Sequence, residues 1–183
     1  MNKTISKLNS LNAEKILCIG VGVPCVFFDK IKGNVTGVDK WDYKSFPRSW
    51  SVPTIAGNIK TKHNKEKYNL VIINNSKHYS DLLKDFTQAQ KSVKEGGIIA
   101  ITHTMPKSYN DIREDYLPRQ DWSGWAWQVV LDLISLGGYK VTSYDFEKGL
   151  TLFEFDETIK AKHVDCGTWE DWFVNRIDNM NNH

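Results

Sequence analysis

Cysteine is scarce in this chain. Only Cys18, Cys25 and Cys166 occur among 183 residues, and their spacing makes neither a disulfide framework nor a metal-ligand cluster. Reduced thiols in a cytoplasmic setting are the expectation, and no metal is expected. Long apolar runs are lacking too: none approaches the roughly 20 residues that span a bilayer. The opening "MNKTISKLNSLNAEK" has no apolar centre of the kind a secretory leader carries. No membrane partner is therefore expected. An excess of one charge is also missing, since 24 Lys+Arg face 22 Asp+Glu for a formal net charge of +2. The lysines are scattered, which leaves no electrostatic footprint for nucleic acid. The one dense basic stretch, "KTKHNKEKY" (60–68), contains a glutamate and precedes a strand, and it reads as a solvated face.

What remains is the composition of an ordinary globular protein, 40% apolar and 25% charged. One domain over 1–183 is expected. Within it, 1–14 reads as a leading helix with Ile5, Leu8 and Leu11 on one face. "KILCIG" is short, apolar on both faces and closed by glycine, so it reads as a buried strand. Pro24 suits the first position of a following helix that carries Val26, Phe27 and Ile31 and ends at Gly33. "NVTGVD" is a second strand, "TIAGN" a short third and "YNLVIIN" (68–74) a fourth. Leu82, Phe86, Ala89 and Val93 then form one helical stripe, with Ser80 placed to cap its start and Gly96 its end. "GIIAITH" (97–103) is a fifth strand. A loop or lid over 104–123 exceeds the usual connection length. "GWAWQVVLDLISLGG" is an apolar helix, and "YKVTSYDFE" with "GLTLFEFDE" is a closing hairpin turning near Lys148 and Gly149. Residues 160–183 form an aromatic extension in which Trp169, Trp172 and Phe173 pack a last amphipathic helix. Strands alternating with helices predict an α/β fold: a Rossmann-like, mostly parallel sheet with a C-terminal antiparallel strand pair and helices on both faces.

In such a sheet, ligands sit where the strand order reverses, at the carboxyl ends of the strands. The turn "LCIGVGVP" (17–24) is that place, because Gly20 and Gly22 remove side chains and permit positive φ. Asp39 ends the second strand 19 positions after Gly20, close to the roughly 20 that suit a carboxylate accepting ribose hydroxyls. The pattern points to a nucleoside ligand. A dinucleotide needs a third glycine where Cys25 stands, which disfavours a nicotinamide oxidoreductase.

Three further stretches carry a resemblance: "NKEKYNLVIINNSKHYSDLLKDF", "VKEGGIIAITHTMP" and "DWSGWAWQVVLDLISLGGYKVTSYDFEKGLTLFEF". Over most of its length the chain resembles the class I S-adenosylmethionine-dependent methyltransferases, above all a small bacterial and phage branch. The resemblance implies S-adenosyl-L-methionine as cofactor and transfer to oxygen or nitrogen of a small-molecule or glycan-like acceptor. It places Gly20 and Gly22 along the methionine part of the cofactor, Asp39 on the ribose and Asn58 near the adenine. Asn74, Asn75 and Ser76 fall beside the sulfonium, and Tyr79 matches a tyrosine that faces substrate. The chain also departs from the pattern. Cys18 stands where an acid usually precedes the first glycine, Pro24 replaces a small residue, and Asn58 and Asn74 carry amides where carboxylates are common. A second reading therefore stays open: a methyltransferase-like protein that binds a nucleoside or a protein partner without transferring a methyl group.

For the transfer itself, an oxygen or nitrogen acceptor needs a base. His103 is the first candidate, at the crevice end of the fifth strand, with a side chain whose unperturbed pKa lies near 6.5. A histidine hydrogen-bonded to the following loop is the alternative there. His78, with Lys77, follows the fourth strand and faces either the substrate or the start of the next helix. Trp122 and Trp125 beside Gly124 are candidates for an aromatic platform, with Trp127 in the core. Asp111, Arg113, Glu114, Asp115 and Arg119 in the long loop read as solvated or as contacts to a polar acceptor, and His63 and His163 as exposed.

Overall fold

In the computed structural model, the residues described are 2–20, 30–39, 54–56, 66–74, 78–112 and 123–163. Helix α1 (Lys3–Ser10) starts where the Asn2 side chain accepts the Ile5 N–H at 2.9 Å. Its Ile5 and Leu8, one turn apart, are buried, and Leu11 at its end is half-buried. Strands β1 (Lys15–Ile19), β2 (Asn34–Asp39), β3 (Thr54–Ala56) and β4 (Tyr68–Ile73) follow, then helix α2 (Tyr79–Ser92) and strand β5 (Val93–Thr102). Helix α3 (Ala126–Leu136) and the hairpin β6 (Tyr139–Tyr144) and β7 (Leu150–Phe155) complete the described elements.

The strands lie side by side in the order β3-β2-β1-β4-β5-β7-β6. Pairs β1–β2, β2–β3, β1–β4 and β4–β5 are parallel, while β7 runs antiparallel to both β5 and β6. The expected mostly parallel sheet with a closing antiparallel pair is the observed one. The chain builds outward from β1 to β3 and then returns to β4 on the other side, so the reversal of order falls between β1 and β4. In sheets of this kind the carboxyl ends at such a reversal are where ligands bind.

Alternation along each strand divides the core between two faces. Leu17, Ile19, Val71, Ile73, Ile99 and Ile101 point to the side covered by α2 and α3, where Leu82, Phe86, Trp127, Val130 and Ile134 meet them. Ile16, Cys18, Leu70, Ile72 and Ala100 point to the other side, where α1 contributes Ile5 and Leu8. Each fully buried Leu, Ile or Phe contributes about 1.5–3 kcal/mol of transfer free energy. Phe86, Tyr139 and Phe153 meet edge to face with ring centroids 5.2–5.7 Å apart, which fastens the hairpin to α2.

Two boundaries differ from expectation. Helix α2 ends at Ser92, and Val93 is already extended at ψ 141, so the fourth residue of the apolar stripe opens β5 instead. Pairing with β4 steps from Tyr68↔Val93 to Leu70↔Ile98. The surplus residues 94–96 bulge out, exposed, and Gly96 lies in that bulge rather than at a helix end. At the other end His78, not Ser80, is the cap residue: its carbonyl accepts the Leu82 N–H at 3.0 Å, with no side-chain cap. Ser80 sits inside the first turn. The helix expected from Pro24 and the extension from Trp169 onward fall outside the described residues. No helix among the described residues is long and apolar enough to cross a membrane.

Candidate functional site

Gly20 leaves β1 at φ 75, a conformation that would strain a residue bearing Cβ. Its N–H donates to Val38 O at 2.9 Å, so Gly20 lies beside the end of β2, where Asp39 is the last residue and pairs with Ala56 of β3. On the other flank the Asn74 N–H donates to Ile19 O at 2.9 Å, carrying β4 past its last ladder position. The Asn74 amide then links three strand ends: Nδ2 donates to Gly20 O at 3.3 Å, and Oδ1 lies 2.8 Å from the Thr102 hydroxyl at the end of β5. The Thr102 Oγ1 is also 2.9 Å from His103 Nδ1.

His103 adopts φ 63, in the left-handed region that non-glycine residues enter only when held there. The hold comes from the β6–β7 turn, because His103 N–H donates to Gly149 O at 2.9 Å and Met105 N–H to Lys148 O at 2.8 Å. A Cβ on Gly149, itself at φ +94, would run into the backbone nitrogen and side chain of Met105. Below this junction the hydroxyls of Ser143, Thr151 and Thr104 are linked at 2.9 Å each, all three residues buried, so β6, β7 and the end of β5 are joined by side chains as well as by backbone.

The loop after β5 is organised by Asp111, which lies in a 3-10 turn (Tyr109–Ile112). Its Oδ2 accepts the N–H groups of Lys107 and Ser108 at 2.7 and 2.9 Å, and its Oδ1 pairs with Lys148 Nζ at 2.5 Å. Its carbonyl accepts the N–H of Ser123 and of Gly124, bringing the approach to α3 against the loop. Asp111 is only 4% exposed, so it is neither the solvated residue nor the acceptor contact expected from sequence. Burial pushes its carboxyl up, but the Lys148 ammonium and the two backbone donors more than offset this and hold it below the usual carboxylate range. Lys107 pairs with Asp145 on the same turn.

The other expected site residues separate into groups. His78 is exposed at the start of α2. Tyr79 donates its hydroxyl to Asp132 Oδ2 at 2.6 Å, tying α2 to α3, and this bond to a carboxylate raises the phenol above its usual range. Trp125 is half-buried at the start of α3, and its carbonyl accepts the Val129 N–H. Trp127 is buried in the core as expected. Gly22, Asn58, Asn75, Ser76 and Trp122 lie outside the described residues. Cys18, at the position of a common acid, has no exposure and packs among Ile16, Ile72 and Leu8, where burial pushes its thiol up. Among the described residues no three His, Cys, Asp or Glu side chains come together as a metal site.

Thr102 is the residue that sequence reasoning missed. Its sequence surroundings do not mark it, since Ile73 and Asn74 become its neighbours only through the strand order.

Gly20 at φ 75, the acidic residue that ends β2 and the linked Asn74 amide and Thr102 hydroxyl thus stand together at the carboxyl ends of neighbouring strands. No protein-family profile and no curated protein sequence matches the chain. Solved structures do. The O-methyltransferase TomG from Streptomyces achromogenes, in complex with SAM, aligns with a TM-score of 0.56 and 13% identity, over 84% of this chain and 78% of that one. The N-methyltransferase NodS from Bradyrhizobium japonicum aligns at 0.55 and 14% identity, over 88% and 94%. The SAH-bound methyltransferase PaMTH1 from Podospora anserina aligns at 0.56 and 14%, over 85% and 77%. At such identities the likeness is one of fold.

Proposed function

We propose that this chain, which has the fold of the class I methyltransferases, is an S-adenosylmethionine-dependent methyltransferase acting at oxygen or nitrogen of a small-molecule or glycan-like acceptor. One observation supports the reading: Gly20 after β1, Asp39 at the end of β2 and the linked Asn74, Thr102 and His103 at the ends of β4 and β5 all stand at the carboxyl ends of adjacent strands around the reversal of strand order. When bound, the cofactor supplies an electrophilic methyl group on a sulfonium centre. Gly20 and Gly22 leave room for its methionine part, and Asp39 accepts from the ribose hydroxyls. Asn58, Asn75 and Ser76 complete the seat. His103 stands at the mouth as the base that accepts the acceptor's proton, with His78 as the second candidate, and Trp122, Trp125 and Tyr79 border the acceptor side.

Titration with S-adenosylmethionine and S-adenosylhomocysteine in a thermal-unfolding assay tests the seat. At 100 times its dissociation constant, a ligand bound only by the native state adds about 2.7 kcal/mol of stability. For a chain of this size that corresponds to a rise in Tm of roughly 5–10 °C. Asp39→Ala is expected to abolish most of the rise. No shift with either ligand refutes cofactor binding.

Asn74 favours a second reading, in which the chain binds the nucleoside without transfer. Its amide is committed to Gly20 and Thr102 and so ties the strand ends together where a carboxylate is common in the family it resembles. Retained cofactor with no methylated product across oxygen and nitrogen acceptors would favour it.

A further inference from the structure

We infer that Lys148 is a positioning residue of the acceptor side. Through its backbone and its side chain it holds the segment bearing His103 and the segment leading to Trp125 in one geometry, separately from the cofactor seat. The inference rests on the reading of His103 as the base and Trp125 as part of the acceptor wall, and adds what aligns the two.

The turn from which Lys148 reaches is fixed at its base. Gly149 N–H donates to Phe146 O at 2.6 Å, and the Glu147 carboxylate accepts the Lys3 and Thr4 N–H groups at 3.0 and 3.3 Å, pinning the turn to the start of α1. Its backbone then takes hold of the chain leaving β5: Gly149 O accepts the His103 N–H, and Lys148 O the Met105 N–H. The Lys148 ammonium reaches Asp111. Asp111 in turn meets both arms of the loop, Lys107 and Ser108 through its carboxylate, Ser123 and Gly124 through its carbonyl. Trp125 follows directly. One residue thus sets the base and the wall relative to each other.

A second ion pair, Lys107 with Asp145, joins the loop to the same turn, but its side chains are 36% and 32% exposed, against 21% and 6% for Lys148 and Asp111. Water screens the outer pair more, so the inner one carries the joint. The cofactor side is held by other bonds. Gly20 N–H to Val38 O and Asn74 N–H to Ile19 O lie among the ends of β1, β2 and β4 and do not involve the turn. Loss of the Lys148 ammonium is therefore expected to loosen the acceptor side and leave the seat intact. A base displaced by even an ångström from the acceptor's proton loses much of its effect.

Hydrogen exchange resolved by residue, on the ligand-free protein, tests this. The amides of His103, Met105, Lys107, Ser108, Ser123 and Gly124 are expected to exchange through one shared opening. Lys148→Met should speed all of them by about tenfold or more, while Gly20 and Asn74 keep their wild-type rates. Lys148→Arg retains the charge and should restore protection. A speed-up confined to Lys107 and Ser108 reduces Lys148 to a counter-charge and overturns the inference. Equal acceleration at Gly20, Asn74 and throughout β4 marks a general loss of stability and overturns it too. Should Lys148→Met not fold, the wild type decides: protection differing by more than about 100-fold among the named amides means they share no opening. The rise in Tm with S-adenosylhomocysteine is expected to be equal in Lys148→Met and the wild type, and a rise lost in the variant alone contradicts the separation of the two sides. No rise in either protein refutes the cofactor reading and leaves the exchange result standing.

Discussion

At the scale of single residues, the positions that matter most here are those whose polar atoms have been taken out of water. Asp111 has a folded-state pKa below its unfolded value near 3.9. Its contribution is therefore complete above about pH 4–5 and is lost as pH falls through the folded pKa. Asp111→Asn should cost about 2 kcal/mol or more at neutral pH and flatten the loss of stability between pH 5 and 2, measured by urea titration at a series of pH values. Equal acid sensitivity in the variant and the wild type would remove the Lys148 pairing as the cause. Cys18 makes the opposite case, a thiol kept from water with its pKa raised by burial. It is expected to react with a thiol reagent only on unfolding, and rapid labelling of Cys18 in the native protein, read by peptide mass, would contradict its placement. Sequence pointed to His103 because a histidine ending an apolar strand stands out. Asp111 and Thr102 were hidden because their partners lie 37 and 28 positions away and are chosen by topology.

At the scale of elements, apolar patterning located β1–β7 and α1–α3, while the 3-10 turn Tyr109–Ile112 fell inside the expected loop and the other errors lie at element ends. Leu82, Phe86 and Ala89 marked α2 correctly, while Val93 continued the same apolar stripe and concealed the change of direction at Ser92. A stripe records which residues are buried, and both a helix and a strand bury valine. The β6–β7 turn was legible from Lys148-Gly149, yet its role was not, since the turn matters through the β5 end that it clamps. Gly149→Ala places a methyl group against Met105 and forbids φ +94, so a loss of more than about 1 kcal/mol in chemical denaturation is expected, together with a displaced His103 NMR signal. A variant as stable as the wild type would show that the clamp yields freely.

At the scale of the whole molecule, the sequence implies a parallel sheet but not which strand lies beside which, because the central strands β1 and β4 and the end of β5 are apolar on both faces and accept many neighbours. The order β3-β2-β1-β4-β5-β7-β6 places β4 between β1 and β5, buried on both sides. Amides of Leu17, Ile72 and Ile99 are expected to exchange only through global unfolding, and those of the edge strand β6 sooner. Hydrogen exchange resolved by residue checks this, and protection of β6 equal to that of β4 would contradict it.

The interleaving of β7 has a bearing on birth of the protein at the ribosome. Strand β6 is synthesised before β7 yet borders it on the outer side, so β5 waits with one flank bare until residues 150–155 emerge and slide in. During that interval Ile99 and Ile101 sit on an unsatisfied border of hydrogen-bonding groups, the kind of margin that recruits foreign chains. A nascent chain stalled short of Leu150 is thus a natural client for a chaperone that shields strand borders, and release past Phe155 ends the need.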